Sequence, residues 1–159
     1  MVYNIRSATI HDIDAICSLM RESVCELCKE FYTKPQLESY LKDFPKKVYY
    51  NDLISDRILI VACDQDKIVG FTQYDPSESA LDAIYVLPGH TGNGLGSRML
   101  RYIEDVARSL KKQEIQIGTS INAITFYEKS KYIFQRKFIQ TCKDGTQFES
   151  ARLKKSLSD

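Results

Sequence analysis

The sequence predicts a single mixed α/β domain that extends over the whole chain. Two pairs of apolar segments, 58–63 with 68–74 and 134–142 with 147–153, are separated by short polar turns and are therefore typical of β-hairpins. Between these hairpins, an apolar run at 84–87 leads into a glycine-rich turn and then into a helix with apolar residues at helical spacing. A chain of 159 residues, of which 43% are hydrophobic, is long enough to bury a core of its own.

The first third of the chain is predicted to form one strand and two helices. Residues 3–6 form the strand β1, and Thr9 is expected to cap helix α1, whose apolar positions continue at helical spacing as far as Cys28. Helix α2 is expected to have Pro35 in its first turn and to end before the next proline. Residues 46–55 are predicted to form a short helix or irregular chain. This region is rich in aromatic residues, which are typical of a hydrophobic cluster under a loop: Phe31, Tyr32, Tyr40, Phe44, Tyr49 and Tyr50.

The rest of the chain is predicted to alternate between strands and helices before a last hairpin closes the sheet. The predicted elements are β2 (58–63), β3 (68–74), β4 (80–87), α3 (95–110), β5 (114–117), α4 (122–131), β6 (134–142) and β7 (147–153). The turn at 143–146 contains Asp-Gly, which is a strong hairpin signal. We find no repeat and no linker that would divide residues 1–159 into two domains.

The most informative stretch is the turn before α3, where Gly92, Gly94 and Gly96 alternate with Asn93 and Leu95. Glycines let the backbone approach a ligand closely, and the first turn of a helix offers unpaired N–H groups at its positive dipole end. We therefore expect an anion such as a phosphate or pyrophosphate to bind here. Leucine rather than lysine follows Gly94, which excludes a P-loop, and the glycine spacing does not fit a dinucleotide fingerprint. The alternative is a glycine-rich turn without a ligand.

Two motifs of this chain resemble those of the GNAT superfamily of N-acyltransferases. The turn with Gly94 and Gly96 is similar to the family's acyl-CoA-binding motif, although Thr91 stands where glutamine or arginine is usual. Downstream, residues 122–129 (NAITFYEK) resemble the family's second motif, which continues with a glycine where this chain has Lys131. Because the two motifs occur in the family's order, together they are more specific than either motif alone.

The resemblance implies a fold, a cosubstrate and a set of binding residues. The implied GNAT fold is an α/β (α+β) arrangement in which about four helices flank a mixed, mostly antiparallel sheet of about seven strands, with β4 and β5 splayed apart. The implied cosubstrate is acetyl-CoA, and no metal is implied. The positions that the resemblance assigns to the cofactor are Ile84, Tyr85, Val86, Thr91, Gly92, Asn93, Gly94, Leu95, Gly96, Ser97, Asn122 and Tyr127.

The resemblance also implies that the aromatic residues of 31–50 form the wall of an acceptor site, and it implies catalytic groups. Tyr127 matches the tyrosine that acts as general acid on the leaving thiolate, and a phenol stays protonated at neutral pH. The thioester carbonyl is expected to meet a backbone N–H near Val86 or Leu87. Asp82 is a candidate general base, because strand alternation places it on the same face as Ile84 and Val86. The alternatives are Glu78, Tyr85, His90 or a water relay.

Composition limits the other classes of function. A formal net charge of +1 gives no basis for binding nucleic acid or an acidic membrane. No apolar run has the length of a membrane span, and the N-terminus lacks a signal-peptide pattern, so we expect a cytoplasmic location. The five cysteines are an odd number and are expected to be reduced, with Cys25 and Cys28 as two small residues of a helix.

We therefore expect an N-acetyltransferase that transfers an acetyl group from acetyl-CoA to a primary amine, with a small molecule as the acceptor. One alternative is an acetyltransferase that acts on a protein lysine or an α-amino terminus. Another is a non-catalytic acyl-CoA-binding regulatory module. The expected partner is a small-molecule amine, without nucleic acid or membrane, and a homodimer is left open.

Overall fold

A computed structural model of the protein describes residues 2–44, 46–47, 50–51 and 54–158. The described strands form one seven-stranded sheet in the order β1-β2-β3-β4-β5-β7-β6, and among these strands only the β4–β5 pair is parallel. The elements are β1 (Asn4–Ser7), α1 (Ile13–Leu27), α2 (Lys34–Asp43), β2 (Ile58–Asp64), β3 (Lys67–Asp75), β4 (Ala80–Val86), α3 (Leu95–Ser109), β5 (Glu114–Ser120), α4 (Ile124–Lys129), β6 (Ile133–Thr141) and β7 (Gln147–Ser156). The predicted fold is confirmed. None of the described helices has both the length and the apolar character needed to cross a membrane.

The differences from the predicted elements lie at their ends. Strand β5 continues to Ser120 and β7 to Ser156, because the two strands stay paired beyond the apolar residues that predicted them. Helix α1 is preceded by a 3₁₀ turn at Ile10–Asp12, and Thr9 and Asp12 form a capping box around that turn. The predicted cap at Thr9 is thus correct, although it caps the 3₁₀ turn rather than the α-helix itself.

Helix α2 starts as the sequence predicts, whereas the segment after it is described only in part. Thr33 accepts a hydrogen bond from the Gln36 N–H at 3.4 Å, and proline occupies the first turn. Within the predicted segment 46–55, residues 48–49 and 52–53 lie outside the described residues, and Tyr49 is one of them.

Helices α1 and α3 cover opposite faces of the sheet. Gly70 and Phe71 are neighbours on β3, so their side-chain positions lie on opposite faces of the sheet. A Cβ built at Gly70 would lie 2.7 Å from the Met99 sulfur, so α3 packs directly on the β3 backbone. On the other face, the Phe71 ring packs edge-on against Tyr50, whose hydroxyl donates to the Met20 sulfur of α1 at 2.8 Å.

Strands β4 and β5 are paired only where they begin. Ala80 pairs with Gln116 and Leu81 with Ile117, and no later residue of β4 pairs with β5. Beyond this point β5 pairs on its other side with β7 as far as Ser120, while β4 stays paired with β3. The sheet therefore has a gap between the second halves of β4 and β5, as the resemblance implies.

A β-bulge in β4 changes the face on which Asp82 lies. Thr72 pairs with Ile84 and Tyr74 with Leu81, so the one residue of β3 between these pairs is opposed by two residues of β4. Directly opposed residues share a face, so Leu81 and Ile84 lie on one face and Asp82 lies on the other. The prediction that Asp82 shares a face with Ile84 and Val86 is wrong, because simple alternation does not hold across a bulge.

Helix α4 ends in a left-handed residue that is not glycine. Lys131 has a φ of 67° and occupies the C′ position, where glycine is favoured. Its N–H bonds to the Glu128 carbonyl at 2.9 Å, and the Tyr132 N–H bonds to the Tyr127 carbonyl at 3.0 Å. These two bonds form a Schellman motif. The helix end that carries Tyr127 therefore has the same capping hydrogen bonds that glycine would allow, but the left-handed conformation of Lys131 costs free energy.

Replacing this lysine should stabilise the protein. Lys131→Gly removes a left-handed strain of about 1–2 kcal/mol but gives the unfolded chain more freedom, so we expect the free energy of unfolding to rise by about 0.5–1 kcal/mol. Urea denaturation measures the change. Lys129→Gly, in the last helical residue, is the control and should lower the free energy of unfolding. A loss of stability in both variants would contradict the prediction.

Candidate active site

A large cavity occupies the gap between β4 and β5. Its volume is about 1060 Å³, and its wall includes both strands, the start of α3, parts of α1 and α2, and residues of β6 and β7. Because α1 and α3 lie on opposite faces of the sheet, the cavity extends through the gap from one face to the other. We call it the central cavity.

On the α3 side, the glycine-rich turn presents backbone N–H groups to the central cavity. Gly92 and Gly94 both have a φ of 76°, and Gly94 is the residue that precedes the first turn of α3. The helix has no side-chain cap, and its first backbone bond runs from the Arg98 N–H to the Gly94 carbonyl at 3.0 Å. The N–H groups of residues 95–97 therefore have no acceptor within the helix, and they form the positive end of the helix dipole.

Of the predicted cofactor positions in this turn, all but one border the central cavity. The bordering residues are Thr91, Gly92, Gly94, Leu95, Gly96 and Ser97. Asn93 is exposed and lies outside the lining. The Thr91 hydroxyl donates to the Pro88 carbonyl at 2.9 Å, so it holds the turn and keeps only its lone pairs for a ligand.

Gly96 has a packing role that the sequence motif does not reveal. A Cβ built at this position would lie 3.2 Å from the Phe126 ring. The absence of a side chain therefore allows α3 to lie against α4, and Phe126 in turn packs edge-on against Tyr127 with ring centroids 4.9 Å apart. The glycine-rich turn thus helps to position the predicted general acid.

Tyr127 connects the two strands at the place where they separate. Its side chain is 1% exposed and lines the central cavity, and its hydroxyl lies near the Ile84 backbone on β4 and the Thr119 side chain on β5. Burial raises the pKa of Tyr127 well above its usual value, and these two polar neighbours offset only part of this increase. The phenol is therefore protonated at neutral pH and lies at the centre of the gap.

The N–H groups of β4 divide between β3 and the gap. The Leu87 N–H bonds to the Val69 carbonyl of β3 at 2.9 Å, so it is not available to a thioester carbonyl. Successive N–H groups of a strand point in opposite directions, so the Val86 N–H points into the gap, as does that of Ile84. Of the two predicted positions, Val86 is therefore the one that can polarise a carbonyl there.

Asn122 lines the central cavity, but its side chain is already engaged. Its amide donates to the Leu27 carbonyl at 3.3 Å, and its oxygen accepts from the Cys28 thiol at 3.7 Å. Nearby, the Tyr32 hydroxyl accepts from the Ile121 N–H at 2.9 Å and donates to a carbonyl of β7. These contacts attach the end of α1 to the chain before α4, which is a structural role.

Asp82 faces the central cavity from the α1 side. Its carboxylate accepts a hydrogen bond from Gln73 on the neighbouring strand. The side chain is open to the cavity, yet the surrounding protein atoms desolvate it and raise its pKa above the usual value. The charge of Arg57, the Gln73 hydrogen bond and the charge of Arg152 oppose this increase. A carboxylate with a raised pKa is a better proton acceptor than an ordinary aspartate.

The other predicted bases are less well placed. The Tyr85 hydroxyl lies 3.1 Å from that of Tyr40, and burial raises its pKa well above the usual value, so it holds its proton at neutral pH. The Nδ1 atom of His90 lies 3.2 Å from the Tyr3 hydroxyl. His90 and Glu78 are not among the residues that line the central cavity.

Aromatic rings form much of the cavity wall on the α1 side. The aromatic residues predicted for the acceptor site that line the cavity are Phe31, Tyr32, Tyr40, Phe44 and Tyr50. The Tyr40 and Tyr32 rings each pack edge-on against Phe148 of β7, and the Tyr85 ring stacks on Phe71. We call the set of eight residues the aromatic wall: Phe31, Tyr32, Tyr40, Phe44, Tyr50, Phe71, Tyr85 and Phe148.

Sequence reasoning missed several residues of the site. Thr119 could have been found, because alternation along β5 places it on the same face as Ile117. Gln73, Phe148 and Arg152 belong to strands without a motif, and no sequence signal connects them with the gap.

Comparison with known proteins agrees with this geometry. The family model described as "Acetyltransferase (GNAT) family" matches residues 21–132, which include both motifs and the whole β4–β5 gap. The chain belongs to the GNAT family of acetyltransferases. It is therefore an acyl-CoA-dependent N-acyltransferase with acetyl-CoA as its cosubstrate. No curated protein matches the sequence.

Solved structures show the same fold over almost the whole chain. A GCN5-related N-acetyltransferase from Rhodopseudomonas palustris is 21% identical and aligns with a TM-score of 0.89, covering 98% of each chain. The PaiA N-acetyltransferase from Thermoplasma acidophilum, in complex with coenzyme A, is 18% identical with a TM-score of 0.79, covering 98% of this chain and 99% of the other. A phosphinothricin acetyltransferase from Sinorhizobium meliloti, in complex with acetyl-CoA, is 17% identical with a TM-score of 0.71, covering 99% and 90%.

Proposed function

We propose that this GNAT protein acetylates a primary amine of a small molecule, with the reaction taking place beside Tyr127 in the central cavity. The observation that carries the proposal is the position of Tyr127, which lines the cavity together with Ile84 of β4 and Thr119 of β5. An N–H cradle suited to a pyrophosphate lies on one face of the sheet, and the aromatic wall lies on the other. A thioester that enters from the α3 side would therefore reach an amine held on the α1 side.

The proposed chemistry assigns each step to a group of the cavity. The neutral amine attacks the thioester carbonyl, forming the C–N bond, and the Val86 N–H stabilises the negative charge that develops on the carbonyl oxygen. Asp82, directly or through water, takes the proton that the amine nitrogen loses. The C–S bond then breaks, and the thiolate takes a proton from the Tyr127 hydroxyl. The phenol recovers its proton from solvent.

The shape of the α1 side favours a small acceptor over a peptide. Helix α2 is tied to the last hairpin: the Gln36 side chain donates to the Gln147 carbonyl at 2.9 Å, and the Ser39 hydroxyl donates to the Asp144 carboxylate at 2.7 Å. These contacts hold α2 against the last hairpin, and Gln36 lines the cavity next to the aromatic wall. A concave pocket with mostly apolar walls and a few polar groups suits a small ligand, whereas a peptide requires an extended groove.

Removing the Tyr127 hydroxyl should affect turnover and not cofactor binding. We expect Tyr127→Phe to lower kcat by about 10²–10⁴-fold, the usual contribution of a general acid, with an unchanged Kd for coenzyme A. Steady-state thiol release and calorimetric titration measure the two quantities. Tyr132→Phe is the matched control, because Tyr132 is also buried and its ring lies 5.8 Å from that of Tyr127. Equal losses of kcat in both variants would remove the catalytic role.

The pH dependence should identify Asp82 as the base. Because its pKa is raised, kcat/KM should fall on the acid side at a pH above the ordinary aspartate value of about 4, and Asp82→Asn should remove this limb. Because the pKa of Asp82 is higher in the folded than in the unfolded protein, ionisation of Asp82 at neutral pH lowers the free energy of unfolding. Asp82→Asn should therefore be more stable than the wild type at neutral pH. This advantage should disappear as the pH falls below about 4.

The control for the pH experiment is Glu78→Gln, which changes the other carboxylate named as a candidate base, a residue that lies outside the cavity lining. This variant should keep the acid limb. An unchanged pH profile in Asp82→Asn would exclude Asp82 as the base and favour a water relay.

A further inference from the structure

Arg152 projects from β7 into the central cavity without an acidic partner. It is half-buried and lines the cavity, and its guanidinium makes no hydrogen bond or ion pair with any residue in the described ranges. Its charge still lowers the pKa of Asp82, so the two groups are near enough to interact although they are not paired. A half-buried cation without a partner carries a desolvation cost that an anionic ligand would offset.

The guanidinium of Arg152 is held between a ring and a glycine. Its Cζ atom lies 5.3 Å from the centre of the Phe138 ring, which is a cation–π contact. On β5, Gly118 is directly opposite Arg152, and a Cβ built there would lie 3.7 Å from Nη1. The absence of a side chain at Gly118 thus leaves room for the planar group, which is oriented before any ligand binds.

A second arginine adds to the positive charge at this place. Arg136 of β6 is directly opposite Arg152, and its Cζ atom lies 5.6 Å from the Phe138 ring. Two like charges that face each other across strands are unfavourable unless an anion binds between or beside them. The neighbouring Lys137 does not add to this charge, because it pairs with Glu149 at 3.0 Å.

Of the charged residues described in the cavity lining, Asp43 accepts a hydrogen bond from the Lys143 N–H at 2.7 Å, and the other two are a cation and an anion that are not paired with each other. The cation is Arg152, and the anion is Asp82. A ligand with an ammonium group and a carboxylate is complementary to this arrangement. A polyamine is not, because it would bring a second cation to the two arginines.

We propose that Arg152 binds the carboxylate of the acceptor and that the acceptor is an amino acid or a related amino carboxylate. Guanidinium and carboxylate form two parallel charge-assisted hydrogen bonds, which fix orientation as well as adding affinity. The amine of the ligand then points toward Asp82 and the gap. This inference rests on the proposed function for its acceptor site, and it adds the substrate class.

The test compares amino acids with their carboxamides as acceptors for the wild type and for Arg152→Gln. A hydrogen bond to a charged group contributes about 1.5–3 kcal/mol, so the substitution should lower kcat/KM for the amino acid by about 10–100-fold and leave that for the carboxamide nearly unchanged. Because the two acceptors differ in amine basicity, the decisive quantity is the wild-type-to-variant ratio for each one. Arg152→Lys should recover part of the loss.

Arg136→Gln is the matched control, since it removes the opposing arginine at the exposed edge strand. We expect it to change kcat/KM for the amino acid by only about threefold or less. Equal losses for amino acid and carboxamide in Arg152→Gln would overturn the proposal. A larger effect in the Arg136 variant than in the Arg152 variant would also overturn it.

Calorimetry separates this proposal from the proposed function. N-acetyl amino acids and their carboxamides are titrated into the protein saturated with coenzyme A. If the wild type binds the carboxylates more tightly than the carboxamides and Arg152→Gln abolishes this preference, the role of Arg152 is supported. This conclusion holds even if no amine in the panel is acetylated, because a lack of acetylation would count against the proposed function alone. Acetylation of amines without any carboxylate preference would overturn the role of Arg152 and leave the proposed function intact.

Discussion

The separation of β4 from β5 determines how the rest of this site is built. Where two neighbouring strands separate inside a domain, backbone N–H groups lose their partners and must find others, because an unpaired buried donor costs about 1–3 kcal/mol. In this protein the Tyr127 hydroxyl lies near the Ile84 backbone on one strand and Thr119 on the other. The gap thus contains a side chain that also has the chemistry of a general acid.

The three glycines of the turn before α3 serve different physical needs. Gly92 and Gly94 adopt a left-handed conformation that directs the first N–H groups of α3 toward the central cavity. Gly96 has no need of unusual backbone angles, but a side chain there would press on Phe126. The glycine-rich turn and the position of Tyr127 are therefore linked through the packing of α3 against α4. By contrast, Lys131 keeps a left-handed conformation that glycine would adopt at lower cost.

The part of the site that lies in continuous sequence could be predicted, and the part assembled across strands could not. The turn at 91–97 and Tyr127 each belong to a local motif with its own structural signal. The face of Asp82 depends on a bulge, which leaves no trace in the apolar pattern of β4. Arg152 and Phe148 come from the last hairpin, and their place beside the gap follows only from the strand order β5-β7-β6.

A crystal structure of the protein with coenzyme A bound tests the central role of the gap most directly. The pyrophosphate should accept hydrogen bonds from the N–H groups of residues 95–97, and the pantetheine arm should lie between β4 and β5. The sulfur should then lie within hydrogen-bonding distance of the Tyr127 hydroxyl. Coenzyme A bound outside the gap, or with its sulfur directed away from Tyr127, would contradict this role.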